Sequence, residues 1–160
     1  MRLYHGGLVV VESPRILHPN RTLDYGSGFY TTSSQSQAEQ WVIRKLNHEN
    51  PVGYVSEYEW NEEEAHKLDF LYFSAPDDDW IAFVHSNRTD RSFEHRHDIV
   101  YGPVANDKVY AAFSLYEQGF LDKDGLMREL RAYKLVDQVL FHTERSLATL
   151  RYVRNIQVMR

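Results

Sequence analysis

The sequence predicts an α+β domain, because strand-like and helix-like segments are mixed along it without strict alternation. Apolar residues recur at even positions from Val52 to Trp60, as in a half-buried strand. Pro76 followed by three aspartates is typical of a helix start, since early carboxylates complement the helix dipole. With 160 residues, 42% hydrophobic and 14% aromatic, the chain is expected to form one ordered domain over residues 1–160.

The first half of the chain contains four predicted strands. Gly6 and Gly7 interrupt the first strand, and we interpret the pair as a place where another part of the backbone approaches closely. Ala38, Trp41 and Val42 lie on one face of the first predicted helix. In order, the predicted elements are a strand over residues 2–11, a loop over 12–27, a strand over 28–32, a helix over 34–47, and strands over 52–60 and 67–73.

The second half contains more helix. Asn106 or Asp107 is expected to cap one helix and Gly119 to end it, and Thr143 is expected to cap the last helix. In order, the predicted elements are a helix beginning at residues 77–79, a strand over 98–104, a helix ending at 118, a helix over 122–133, a strand over 136–141, a short helix over 143–150 and a strand over 151–158.

Charge and composition narrow the function classes. The net charge of −5 and the pI near 5.9 give no overall basic field, so non-specific attraction to nucleic acid is not favoured. The chain has no cysteine, which excludes disulfides and thiolate metal sites. No run reaches 18 apolar residues and the N-terminus lacks the pattern of a secretory signal, so a cytoplasmic protein without a membrane partner is expected.

The spacing of two aromatic residues suggests a ligand site. Ten residues separate Tyr30, at the end of a predicted strand, from Trp41, about two turns into the helix that follows. A strand that turns directly into a packed helix can bring two such rings face to face, with room for a flat heterocycle between them. Together with His5 and Gly6 on the first strand, the rings form a candidate nicotinamide slot. The alternative is that both rings are core residues.

Three further positions have both a functional and a structural interpretation. A neutral His5 is placed to hold a ribose hydroxyl, or else it is a satisfied, partly buried histidine. The Gly26-Ser27-Gly28 segment offers backbone N–H groups to a phosphate, or else it is an ordinary turn. Gln138 lies at the mouth of a buried strand, where it either serves a site or caps a backbone edge.

Two clusters suggest metal binding, but neither is convincing. His95 and His97 would share one face of a strand, yet no third ligand is evident nearby, and a charged strand edge is usually solvated. The aspartates at 77–79 suggest a hard cation, yet a helix N-terminus explains them more simply. We therefore expect no metal site.

Four blocks carry a resemblance to a known family: LYHGG (3–7), DYGSGFYTT (24–32), QAEQW (37–41) and DQVLF (137–141). Taken together and in this order, they resemble the ADP-ribosyltransferase fold, in the His–Tyr–Glu branch shared by diphtheria toxin and the poly(ADP-ribose) polymerases. Still closer is the resemblance to a compact bacterial family of domains of unknown function, whose members are often toxin-like. Two further blocks, DIVYGPVAND (98–107) and FHTERSL (141–147), match that family as well.

The resemblance implies a split-sheet core with peripheral helices and a role for each matching residue. Gln138 is a departure, since the wider branch usually has Glu there, and an amide cannot act as a general base. Gly7, where the family commonly has Ser, is a milder departure. The implied catalytic residues are His5, Tyr30 and Gln138, and the implied NAD-binding residues are His5, Gly6, Gly28, Tyr30, Thr31 and Trp41.

The resemblance therefore implies a mono-ADP-ribosyltransferase that uses NAD as donor. It further implies the toxin of a toxin–antitoxin pair, with a small antitoxin partner and a protein or nucleic-acid acceptor. One alternative, suggested by Gln138, is a catalytically silent NAD-binding or interaction module. A second is an RNA 2′-phosphotransferase-like enzyme, but the acidic composition and the lack of a basic pair near His5 count against it.

Overall fold

The computed structural model describes residues 1–18, 23–104, 107–133 and 135–160, and it has the predicted α+β class. Its strands form a three-stranded sheet, in the order β1-β3-β7, and a four-stranded sheet, in the order β2-β6-β5-β4. The elements are β1 (Arg2–Gly7), β2 (Phe29–Thr31), α1 (Gln35–Lys45), β3 (Val52–Trp60), α2 (Glu62–Ala65), β4 (Phe70–Tyr72), α3 (Asp78–Thr89), β5 (Ile99–Pro103), α4 (Asp107–Glu117), α5 (Lys123–Ala132), β6 (Asp137–Phe141), α6 (Glu144–Leu147) and β7 (Leu150–Met159).

The first sheet is antiparallel, and both faces of its central strand β3 pack against apolar residues. On one face α1 packs against β1 and β3, and Val42 lies over Gly53 and Val55. On the other face Tyr58 and Trp60 enter a second apolar cluster. The prediction of a half-buried β3 was therefore wrong, because α1 covers the face that the alternation assigned to solvent.

The second sheet is mixed, since β4 runs parallel to β5 while the other pairs are antiparallel. Its residues alternate between two clusters, as side chains of a strand must. Val100 and Leu140 face the cluster formed with α3, α4 and α5, whereas Ile99 and Phe141 face the cluster shared with the first sheet. The ring centroids of Phe141 and Trp60 are 5.9 Å apart there, so aromatic side chains fill the interior between the two sheets.

Local signals account for most helix ends. The Asp77 carboxylate accepts from the Trp80 N–H, which confirms the predicted start of α3. Gly119 follows α4 at φ 85°, a left-handed conformation that favours glycine, so the predicted end of that helix is confirmed too. The expected cap at Asn106 lies outside the described residues.

Three further sequence predictions were wrong in detail. β1 ends at Gly7, because the Val11 N–H donates to the Ser56 hydroxyl and its carbonyl accepts from Tyr58 instead of joining a strand. Thr143 precedes α6 but makes no side-chain cap, because its hydroxyl donates to Asp98 at 2.6 Å.

The third concerns His95 and His97, which lie in the connection between α3 and β5 and not on a strand. The residues of the predicted loop that are described, 12–18 and 23–27, contain no helix or strand, as expected. In the described part of the chain, no helix has both the length and the apolar character needed to cross a membrane.

Candidate functional site

The two sheets approach each other where β1 meets β2. Tyr4 and Thr32 exchange both backbone hydrogen bonds, at 2.8 and 2.9 Å, and form the isolated bridge between these strands. In a continued antiparallel ladder the next bonded pair would be Gly6 and Tyr30. Within the described residues no bridge joins those two, so β1 and β2 diverge there. We call the opening bordered by His5, Gly6 and Tyr30 the β1–β2 wedge.

The side chain of His5 lies across this wedge. Its Nδ1 is 2.7 Å from the Tyr30 carbonyl oxygen. A carbonyl only accepts, so Nδ1 carries the proton and Nε2 presents a free lone pair. The buried Phe29 ring stacks on the imidazole, with centroids 4.3 Å apart. Burial lowers the pKa of His5 to about 4, so the ring is neutral near pH 7 and Nε2 is able to accept a hydrogen bond from a hydroxyl.

Gly6 is fixed by the close approach of α1. A Cβ at this position would lie 2.3 Å from the Ala38 carbonyl oxygen, so no side chain fits. Because Tyr4 turns its N–H and C=O towards β2, alternation along β1 turns those of Gly6 to the same side. The backbone of Gly6 therefore offers one donor and one acceptor to the wedge.

Tyr30 borders the wedge from β2. Its ring is half-buried against the cluster under α3, α4 and α5. The hydroxyl donates to the Gly26 carbonyl at 2.6 Å and accepts from the Tyr25 N–H at 3.1 Å. Burial raises the pKa of Tyr30, so the phenol stays neutral and its role is limited to packing and positioning.

Trp41 lies on α1, about one turn after Ala38, whose carbonyl approaches Gly6. Among the described residues, Trp41 joins none of the three apolar clusters and makes no ring contact with Tyr30, although its side chain is half-buried. The indole therefore lies outside the three core clusters of the described residues. Lys45, four residues further along α1, lies near enough to His5 for its charge to lower the pKa of His5 further.

Gln138 lies on β6, on the same face as Tyr30. Leu140 is the register partner of Tyr30, and Gln138, two residues away, is its diagonal neighbour. The Gln138 side chain is only 4% exposed, and its amide nitrogen lies 3.5 Å from the Pro103 carbonyl oxygen. The residue is near the wedge, but its amide is held against the main chain.

The remaining two predicted ligand residues have structural explanations. Gly28 adopts φ 144°, and a Cβ there would lie 2.3 Å from the Phe141 carbonyl oxygen. Its N–H donates to the Leu17 carbonyl at 3.2 Å, so that N–H is already partnered. Thr31 is fully buried and its hydroxyl donates to the Val139 carbonyl at 3.0 Å, so its side chain joins β2 to β6.

Two acidic residues near the wedge were not predicted as site residues. Asp137 accepts from the Ser33 N–H at 2.9 Å and from the Tyr101 hydroxyl at 3.0 Å, so it fixes the turn between β2 and α1. Asp24 is 8% exposed, and burial raises its pKa to about 6. Their positions were the only signal in the sequence. Asp137 directly precedes Gln138, and Asp24 begins the block that contains Tyr30.

The histidines considered for metal binding are engaged otherwise. His95 Nε2 lies 2.7 Å from the Tyr25 carbonyl oxygen, and His97 Nδ1 lies 2.7 Å from an Asp69 carboxylate oxygen. Over the described ranges, no group of three or more His, Asp or Glu side chains is arranged to hold a metal ion. The Asp77 carboxylate is occupied as a helix cap.

The chain matches a known sequence family. Residues 1–152 match the family described as protein of unknown function (DUF3990), and the chain belongs to it. No curated protein matches the chain.

Proposed function

We propose that the chain is a mono-ADP-ribosyltransferase that uses NAD as donor, built on an ADP-ribosyltransferase-like split sheet. The observation that carries the proposal is the wedge, where His5 bonds to the Tyr30 carbonyl and keeps Nε2 free. The Gly6 backbone suits the nicotinamide amide, and Nε2 of His5 suits a ribose hydroxyl. Trp41, half-buried outside the core clusters of the described chain, suits one face of the pyridinium ring.

The reaction requires positioning more than proton transfer. When the bond between ribose C1′ and the nicotinamide nitrogen breaks, its electron pair moves to that nitrogen and neutral nicotinamide leaves. An acceptor nucleophile then bonds to C1′ and releases its proton. Clamping the amide and the ribose at the two ends of the breaking bond lowers the barrier without a carboxylate at Gln138. Transfer of a single ADP-ribose is favoured over polymer elongation, because the amide of Gln138 cannot act as a general base.

Nicotinamide release from NAD tests the proposal. His5→Asn keeps a nitrogen donor for the Tyr30 carbonyl but removes Nε2, so the fold should persist while release falls by about tenfold to 100-fold. His48→Asn, an exposed histidine beyond α1, is the matched control and should leave release unchanged. Equal rates in the two variants would contradict the role of His5.

A second candidate is a catalytically silent NAD-binding module. It is favoured by the buried amide of Gln138, which is directed at the Pro103 carbonyl. Binding of NAD without release of nicotinamide, with and without added cellular macromolecules as acceptors, would support this candidate.

The proposed biological role is that of a toxin neutralised by a small antitoxin. Expression should then arrest growth, His5→Asn should relieve the arrest, and co-expression of a neighbouring gene should rescue the wild type.

A further inference from the structure

Three consecutive carbonyls beside Tyr30 are each held by a different side chain. His95 Nε2 donates to the Tyr25 carbonyl at 2.7 Å, the Tyr30 hydroxyl donates to the Gly26 carbonyl at 2.6 Å, and His142 Nδ1 donates to the Ser27 carbonyl at 2.6 Å. We call residues 25–27 the anchor loop. Two histidines and the Tyr30 phenol therefore hold the main chain of this loop.

The two histidines form a buried pair whose ring nitrogens face main-chain atoms. Their rings lie 4.1 Å apart, and the His95 and His142 side chains are almost fully buried. His95 Nδ1 accepts from the His97 N–H at 3.2 Å, and His142 Nε2 lies 3.1 Å from the His95 carbonyl oxygen. Both His142 nitrogens face carbonyl oxygens, so a ring with one proton donates to only one of them, and the shorter contact assigns that proton to Nδ1. The three hydrogen bonds between the pair and the main chain make it a rigid support.

The anchor loop also has little freedom at Gly26. Gly26 adopts φ 86°, and a Cβ there would lie 3.2 Å from Asn87 Oδ1 and 3.3 Å from His95 Nε2. The Tyr30 hydroxyl therefore meets a carbonyl whose position is determined by α3 and by the histidine pair.

We propose that His95 and His142 are positioning residues for Tyr30. By fixing the carbonyls on both sides of the Gly26 carbonyl, they set the angle at which the Tyr30 ring borders the wedge. Neither histidine touches the ligand. The inference rests on the proposed function for the identity of that ligand, but the ordering of Tyr30 is measurable without it.

Two amide variants at position 142 separate positioning from packing. The nitrogen of His142→Asn lies where Nδ1 lies and keeps the bond to Ser27, whereas that of His142→Gln lies where Nε2 lies and loses it. We expect KM for NAD to rise about tenfold in His142→Gln and to stay within about twofold in His142→Asn, with kcat changed by less than about threefold in both. His97→Asn, whose side chain bonds Asp69 and not the anchor loop, should match the wild type. Equal KM values for the two variants at position 142 would overturn the proposal.

If the wild type does not use NAD, fluorine NMR of protein labelled with 3-fluorotyrosine still tests whether His142 positions Tyr30. The Tyr30 signal, assigned with Tyr30→Phe, should be single in the wild type and in His142→Asn, and shifted or split in His142→Gln. An identical Tyr30 signal in all three proteins would overturn the inference, whereas the expected pattern without NAD turnover would overturn only the proposed function. Nitrogen-15 spectra of the wild type should also show a proton on Nδ1 of His142 and on Nε2 of His95, and the opposite tautomer at either ring would contradict it.

Discussion

Arg145 donates two hydrogen bonds to the carboxylate of Asp98, from Nε at 2.8 Å and from Nη2 at 2.6 Å. The Asp98 side chain is 1% exposed, and the carboxylate also accepts from the Thr143 hydroxyl and the Asp69 N–H. These contacts join the start of α6 to the residues that precede β4 and β5. The hydrogen bonds from Arg145, more than any other contact, lower the pKa of Asp98 to about 2.

Asp98→Asn should reduce the free energy of unfolding by about 2 kcal/mol at pH 7, because bonds to a charged acceptor are lost. The folded pKa lies below the ordinary 3.8, so this stabilisation is present above about pH 4 and is lost as the pH falls through about 2. Urea unfolding of both proteins from pH 7 to pH 2 should show the difference shrinking. Glu144→Gln, an exposed carboxyl beside Arg145, is the control and should change stability by less than about 0.5 kcal/mol. A difference in the free energy of unfolding that stays constant down to pH 2 would show that the ionised Asp98 carboxylate is not the source of this stabilisation.

Gly6→Ala should destabilise the protein by about 1–3 kcal/mol, because the added Cβ would lie 2.3 Å from the Ala38 carbonyl oxygen. Gly7→Ala is the matched control, since its Cβ would have His5 Nε2 as nearest atom at 3.6 Å, an ordinary contact. Neither glycine has a positive φ, so only the available space differs. Urea unfolding measures both, and equal losses would show that α1 does not approach β1 as closely as described.

Elements set by local chemistry were predictable from the sequence, and elements set by distant contacts were not. Asp77 and Gly119 mark helix ends through their own residues, and both were confirmed. The hydroxyl of Thr143 looked like a cap, but its partner Asp98 is 45 residues away in the sequence. Likewise, no alternation within β3 reveals that α1 covers its second face.

The same limit applies to the candidate site. The order of the blocks suggested that His5 and Tyr30 meet, and the structure joins them by a hydrogen bond. That the bond goes to the Tyr30 carbonyl, with Phe29 stacked on the imidazole, depends on how β1 and β2 diverge. No residue type or spacing encodes that divergence.

Trp41 should report NAD binding by fluorescence, because Trp60 is only 2% exposed and Trp80 is fully buried. We expect NAD to quench the emission of the wild type, and Trp41→Phe to abolish the quenching while changing the free energy of unfolding by less than about 1 kcal/mol. Trp80→Phe, a core replacement, should lower stability yet keep the quenching. Quenching that persists in Trp41→Phe would place the ligand elsewhere.

Gln138→Ala should cost more activity than Gln138→Glu. Gln138 is 4% exposed and on the face of Tyr30, so the Ala variant leaves a cavity and removes the side-chain amide that is proposed to orient a ribose hydroxyl from this position. We expect kcat/KM for nicotinamide release to fall by about tenfold to 100-fold in Gln138→Ala and by less in Gln138→Glu, which keeps an acceptor oxygen. Burial would raise the pKa of the new carboxyl, so the activity of Gln138→Glu should increase with pH as that group ionises. Equal and negligible effects of the two substitutions would remove Gln138 from the site and leave the wedge between β1 and β2 as the whole of the catalytic apparatus.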